Sequence, residues 1–257
     1  MPKSRCQIVI PARLASTRLP RKMLLCETGK PLIQHTWEGA CQSTLAEGVC
    51  VATDDSEIFQ TVSHFGGTAI MTSRNLCCGT ERVAAVAEKM PGIDIFVNVQ
   101  GDEPEITGAN IDSVLSLLLE HADVEMATLA VPIRESEKLL DTACVKVVFD
   151  GNGHALYFSR SLIPYPRDGL NQALLDAESP LFYQHLGIYA YRRDFLLRFA
   201  KMERSSLEKA ESLEQLRALE NGISILVGVV KQGGIGIDTP EDYAQFVQRM
   251  AQKKQSG

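Results

Sequence analysis

The sequence predicts an α/β protein built on a mostly parallel sheet, with a smaller antiparallel lobe placed late in the chain. Three observations carry that expectation. Short runs such as Ile8-Val9-Ile10 and Val49-Cys50-Val51 are apolar at consecutive positions, as strands covered on both faces are. These runs alternate with segments of helical period, giving β-loop-α-β-α-β from Gln7 to Met71, the pattern of right-handed parallel units. Beyond about residue 133 the pattern changes to hairpin signals and clustered prolines.

Taken in order, Ile8 to Ile10 is the first strand, and Pro11 is expected to end it because proline has no N–H for the ladder. The next eleven residues deliver Arg13, Arg18, Arg21 and Lys22, with Ala12, Ala15 and Ser16 between them. Leu32 to Cys41 has helical spacing, and Val49 to Thr53 is the second strand. Asp54-Asp55-Ser56 supplies an N-cap for a helix to about His64, and Gly66-Gly67 turns the chain into a strand at Thr68 to Met71. A polar loop leads to a helix over Glu81 to Met90, stopped by Pro91-Gly92. The strand Ile95 to Gln100 runs into Gly101-Asp102-Glu103-Pro104, and a helix at Ile111 to Glu120 precedes a strand at Met126 to Val131.

Val145 to Phe149 and Ala155 to Phe158 flank Asp150-Gly151-Asn152-Gly153, a turn rich in residues that tolerate positive φ, and read as a hairpin. Ser161 to Pro180 is loop-rich, and His185 to Tyr191 is a strand. Leu207 to Glu220 reads as a single charged amphipathic helix, with Glu211, Glu214, Gln215 and Arg217 mostly on a solvated face. Ile223 to Val230 is the last strand, Thr239 caps the final helix with Pro240 at its first position, and Gln252 to Gly257 is expected to be disordered. The chain reads as one domain over 1–257, with an antiparallel lobe at about 133–192 inside it.

Its 257 residues, 45% hydrophobic with a formal net charge of −6, are enough for a substantial core. The acidic balance argues against general binding to nucleic acid or an anionic membrane. No apolar run approaches the roughly 20 residues of a membrane span, and the short N-terminal MPKSRC leaves no room for a signal peptide. Seven scattered cysteines without a C-x-x-C pair read as reduced thiols, so the expected compartment is the cytoplasm.

The cations beyond the first strand sit where an open α/β sheet binds ligands, and a loop of small residues with fixed positive charges suits a polyphosphate. Asp102, at the end of another buried strand, is placed to hold Mg²⁺, which takes a few carboxylates plus substrate phosphates. Asp238 repeats the arrangement, although taken alone it reads better as a helix N-cap. Together with Arg13, Arg18 and Lys22 the two aspartates form a set suited to metal-assisted phosphoryl or nucleotidyl transfer. Gly79 to Arg82 reads either as a contact to base or ribose or as an ordinary capped helix start.

The blocks A-R-L-A-S-T-R-L-P-R-K, V-A-T-D-D, C-G-T-E-R, V-N-V-Q-G-D-E-P, L-Y-F-S-R-S-L-I-P-Y, H-L-G-I-Y-A-Y-R, L-E-Q-L-R-A-L-E-N-G and G-I-D-T-P-E-D, in that order, resemble 3-deoxy-manno-octulosonate (Kdo) cytidylyltransferases from about Ile8 to Phe246. The resemblance implies a nucleotide-diphospho-sugar transferase fold, a Rossmann-like three-layer sandwich, and a homodimer. It implies transfer of CMP from CTP to Kdo with Mg²⁺ and release of pyrophosphate, for lipopolysaccharide synthesis. A related acid, 8-amino-Kdo or a sialic acid, is the nearest alternative substrate, and a catalytically silent nucleotide-binding protein the alternative from another class. By the same resemblance Ala12, Arg13, Arg18, Lys22, Cys78, Gly79, Arg82 and Gln100 bind CTP, and Asp102 and Asp238 bind the metal. Arg18, Lys22, Asp102 and Asp238 are the expected catalytic residues. Gln100, Arg160, His185, Tyr189, Glu214 and Gln215 are the expected sugar-binding ones.

Two departures stand out. Arg21 occupies the place of the glycine that usually precedes the lysine, and is free to add a phosphate contact. Leu76-Cys77-Cys78 replaces the usual polar H-Q-S before Gly79-Thr80, which leaves pyrimidine recognition more to backbone groups.

Overall fold

The computed structural model describes residues 4–255. They form two compact units, one running to Asp112 and resuming at Gly234, the other Ser113–Gly233. In the first, β1 (Cys6–Ala12) is followed by α1 (Leu32–Ala40), β2 (Gly48–Thr53), α2 (Ser56–His64), β3 (Thr68–Met71), α3 (Gly79–Lys89) and β4 (Ile95–Asn98), and α4 (Gly108–Glu120) begins there. The strands lie in the order β3-β2-β1-β4, all parallel. Every residue of β1 and β4 is buried, which is why these runs carry no polar alternation. Asp55 caps α2 as its position suggested, its Oδ1 accepting from Glu57 N at 2.8 Å and Ile58 N at 3.3 Å.

Pro11 does not end β1. The strand continues through Pro11 and Ala12, which pair with Ala52 and Thr53 of β2. The Val9 carbonyl accepts from Val99 N on the β4 side. Pro11, two residues on, turns its missing donor to that same side, past the last β4 pair at Val9–Asn98. With β2 and β4 on opposite sides of β1, the strand order reverses at β1, and an α/β sheet binds ligands beyond the carboxyl ends at such a point.

The second unit is organised around β5 (Met126–Pro132). The chain continues through α5 (Ser136–Leu140), β6 (Lys146–Phe149), β7 (Ala155–Ser159), α6 (Gln172–Asp176), β8 (Tyr183–Arg192), α7 (Arg193–Phe199), α8 (Ser206–Glu211), α9 (Gln215–Glu220) and β9 (Ile225–Val229). β5 pairs antiparallel with β8 and parallel with β9, and β6 and β7 form the expected hairpin. Asp150 Oδ1 holds its turn by accepting from Asn152 N and His154 N, both at 2.9 Å.

The single helix expected over Leu207 to Glu220 is two helices, α8 and α9. Ser212 takes a left-handed conformation, φ 54°, and breaks it. Of the four residues expected on a solvated face, Gln215 and Arg217 are buried and Glu211 and Glu214 half-buried, while Lys209, Ala210 and Glu220 are exposed. Arg217 donates to the Phe199 and Met202 carbonyls at 3.2 and 3.0 Å and to Glu208 and Glu214 at 3.2 and 2.8 Å, and stacks over the Phe199 ring. A buried guanidinium needs that many acceptors, and the broken helix supplies them.

The last helix, α10 (Pro240–Gln255), belongs to the first unit. Thr239 Oγ1 accepts from Asp242 N at 3.1 Å, while Asp242 Oδ2 accepts from Thr239 N at 2.9 Å. The helix takes in part of the polar tail expected to be disordered, and the remainder, 256–257, lies outside the described residues. Ile237, Tyr243 and Phe246 pack with Leu19 and Leu32, fixing the basic loop to the start of this helix. Among the described residues no helix is long and apolar enough to cross a membrane.

Candidate active site

The loop after β1, the segment after β4 and the approach to α10 meet in the first unit. Ile237 N donates to the Asp102 carbonyl at 2.8 Å, and Thr36 Oγ1 holds the Gly101 carbonyl at 2.9 Å. That pairing brings both aspartates to one point. Lys22 Nζ lies 2.5 Å from Asp102 Oδ2, 3.0 Å from Asp238 Oδ1 and 3.0 Å from the Ile237 carbonyl. Arg18 reaches the other oxygen of Asp238 at 3.0 Å. Burial works against the Lys22 ammonium, yet Asp102 and Asp238 outweigh it and hold its pKa above the ordinary lysine value. A cavity of about 340 Å³ opens here, lined among others by Arg13, Ser16, Arg18, Lys22, Gly79, Gln100 and Asp238.

Arg13, Arg18, Lys22, Gly79, Gln100, Asp102 and Asp238 are therefore brought together. Gly79 lies against β1, where an added Cβ would stand 3.2 Å from the Pro11 ring. Cys78 is the N-cap of α3, its Sγ accepting from Glu81 N at 3.4 Å. Ala12 is 1% exposed inside β1 and offers no side chain to a ligand. Arg82 is not at the cavity. It is fully buried, paired with Asp54 at 2.9 Å and bonded to the Thr72 hydroxyl, so it joins the ends of β2 and β3.

Arg21 does not reach this cavity either. It pairs with Glu57 on α2 and takes φ 58°, ψ 25°, the left-handed conformation that glycine adopts without strain. Its side chain lines an adjoining cavity with Arg13, Ser16 and Asp54.

The expected sugar-binding residues all lie in the second unit except Gln100. His185 is 9% exposed and has a ring-edge contact with Phe158 at 5.0 Å and a tilted one with Tyr189 at 5.3 Å. Burial lowers its pKa to about 3, so the imidazole is neutral at physiological pH. Burial, then Tyr191 and Glu214, push Tyr189 well above the ordinary tyrosine value. Gln215, next to Glu214 in sequence, is 3% exposed, and its Nε2 has no hydrogen-bond partner among the described residues.

Arg160 is held by other means. Its Nε donates to the Glu211 carbonyl at 2.7 Å and its Nη1 to the Thr142 carbonyl at 3.0 Å. Glu211 accepts from Arg160 N at 2.9 Å and Ser159 Oγ at 2.6 Å. Lys146, fully buried, donates to the carbonyls of Asp141, Cys144 and Arg160. Sequence reasoning singled out neither Lys146 nor Glu211 for this task, because apart from the Ser159 hydroxyl their partners are carbonyls and a backbone N–H that any residue types supply. Ser16 it noted only as a small loop residue.

A family model described as Cytidylyltransferase matches residues 7–225. The 3-deoxy-manno-octulosonate cytidylyltransferase of Rhodopirellula baltica is 49% identical over 246 residues, 96% of this chain and 98% of that protein. That of Geobacter sulfurreducens is 48% identical over 245 residues, 94% and 98%. A solved structure of CMP:2-keto-3-deoxy-manno-octonic acid synthetase complexed with CTP superposes with a TM-score of 0.89 at 43% identity, covering 97% of this chain and 100% of that one. The mixed α/β fold expected from the sequence is thus the fold of that enzyme. The chain belongs to the cytidylyltransferase family and, within it, to the 3-deoxy-manno-octulosonate cytidylyltransferases.

Proposed function

We propose that this protein transfers CMP from CTP to the anomeric 2-hydroxyl of Kdo, releasing pyrophosphate. The observation that carries the proposal is the convergence of Asp102 and Asp238 on one cationic group, Lys22 Nζ, beside Arg18 and within the cavity at the end of β1. The same point supports Mg²⁺. Two carboxylates that share a cation suit an ion completed by substrate phosphates, and among the described residues no cluster of three His, Cys, Asp or Glu offers a full protein cage. Asp102 and Asp238 would hold it, and when bound it neutralises phosphate charge and lowers the pKa of the attacking hydroxyl.

The side chains do the rest. Arg13, Arg18 and Lys22 bind the triphosphate, with Lys22 exchanging its carboxylate partners for phosphate oxygens. Arg18 and Lys22 stabilise the charge that builds on the departing pyrophosphate. The 2-hydroxyl attacks the α-phosphorus directly, so no covalent enzyme intermediate and no side-chain base are required. His185, Tyr189, Glu214, Gln215 and Arg160 hold the sugar acid, and Gln100 serves both substrates. We place the reaction in the cytoplasm, in keeping with the seven free cysteines. Leu140, Leu156, Tyr165 and Leu181, exposed large apolar side chains of the 133–192 lobe, support a homodimer through it; light scattering tests this.

Asp102→Asn removes one of the two charges while keeping the shape. We expect turnover to fall by about 10³-fold or more. A near-wild-type rate at saturating Mg²⁺ would contradict the assignment.

A further inference from the structure

We infer that Thr128 is a positioning residue that decides which nitrogen of His185 carries the proton, leaving Nδ1 bare to accept a hydrogen bond from a hydroxyl of the sugar acid. The inference rests on the proposed sugar-binding role of His185 and specifies its chemistry.

The argument is a proton count. Thr128 is fully buried in β5, at the point where its pairing with β8 is irregular. The register passes from Thr128–Tyr189 to Leu129–Leu186 and skips Gly187 and Ile188. The skip brings two carbonyls to one hydroxyl: Thr128 Oγ1 lies 2.7 Å from the Ile188 oxygen and 3.2 Å from the Leu186 oxygen. His185 Nε2 lies 2.9 Å from the same hydroxyl. A threonine hydroxyl has one proton, and carbonyl oxygens only accept. At 2.7 Å the proton must lie between Oγ1 and the Ile188 oxygen, since otherwise two oxygen lone pairs would face each other. None is left for His185, so the 2.9 Å contact is a hydrogen bond only if Nε2–H donates to Oγ1.

The neutral ring then has its lone pair on Nδ1, and no described residue bonds that nitrogen. Phe158 and Tyr189 hold the ring plane. Burial keeps the imidazole uncharged down to about pH 3, so protonation does not remove the acceptor in the working range. An uncharged acceptor takes a hydroxyl or amine donor and repels carboxylate and phosphate oxygens. His185 therefore reads a hydroxyl of the sugar and leaves its carboxylate to other groups.

Long-range proton–nitrogen correlation spectra of protein labelled at its five histidines, with His185→Gln to identify the signal, test this directly. The ligand-free wild type should show the Nε2–H pattern at His185, and its Nδ1 resonance should move when Kdo is added. An Nδ1–H pattern would overturn the inference. In kinetics, Thr128→Val should raise the KM for Kdo about tenfold and leave kcat and the KM for CTP within about twofold, while Thr128→Ser restores the wild-type value. A folded Thr128→Val protein with an unchanged KM for Kdo would overturn the link between tautomer and substrate. A wild type that shows the Nε2–H pattern yet never turns over Kdo would overturn the sugar reading, and with it the hydroxyl assignment, while leaving the tautomer intact.

Discussion

The carboxyl end of β1 and the cluster around His185 handle polar groups in opposite ways. At the first, Arg18, Lys22, Asp102 and Asp238 pair with one another, Arg18 and Asp238 being about half open to solvent. At the second, His185 and Thr128 are buried and uncharged, and in the role proposed for them proton direction replaces charge as the means of recognition. The difference teaches what each can bind. Charges that pair with one another can be re-paired by a polyphosphate and a metal, whereas a fixed neutral array suits the hydroxyls of a polyol.

The largest effect on this contrast should come from Lys22→Met. It leaves two carboxylates without their shared cation, and kcat/KM should fall about 10³-fold while the KM for Kdo holds within about twofold. A matched loss of Kdo binding would break the division. Elsewhere in the second unit, Arg217→Ala removes the buried partner of Glu208 and leaves that carboxylate to the exposed Arg204, and urea unfolding should register a loss of about 3 kcal/mol. A loss under about 1 kcal/mol, the worth of an exposed pair, would show that burial matters less than we argue.

The pH dependence follows from His185. Its folded pKa, about 3, lies below the ordinary value of 6.5, so below pH 6.5 the unfolded chain binds a proton that the native protein refuses. Stability should fall as pH drops from 6.5 toward 3, by about 1.4 kcal/mol per unit from this group, and be flat above 6.5. His185→Gln should remove that slope in denaturant titrations, and an unchanged slope would contradict the neutral buried ring. The smallest effect is expected at Arg21. Arg21→Gly relieves a left-handed backbone and should stabilise by about 1 kcal/mol, with the KM for CTP unchanged. A weakened CTP interaction would return Arg21 to the phosphate site.

The charged end was legible in the sequence because its residues follow buried strands whose apolar runs are unmistakable. Arg13, Lys22 and Asp102 could be placed at carboxyl ends from Ile8-Val9-Ile10 and Ile95-Phe96-Val97 alone. Arg82 shows where that stops. An arginine beside a glycine-bearing loop looks the same whether it faces a nucleotide or pairs with Asp54, twenty-eight residues earlier. The break at Ser212 was hidden because the apolar spacing of Leu207 to Glu220 fits one helix, and only the burial of Arg217 shows why two form. Thr128 lay in an apolar strand with no local sign of its task, since the skipped register in β8 that directs its hydroxyl is a tertiary event.

The most direct test of the whole account is pyrophosphate release in the presence of Mg²⁺, crossing CTP, UTP and dTTP against Kdo, 8-amino-Kdo and N-acetylneuraminate. We predict release only where CTP and Kdo are both present. Release with N-acetylneuraminate, or none in any combination despite CTP binding, would contradict it.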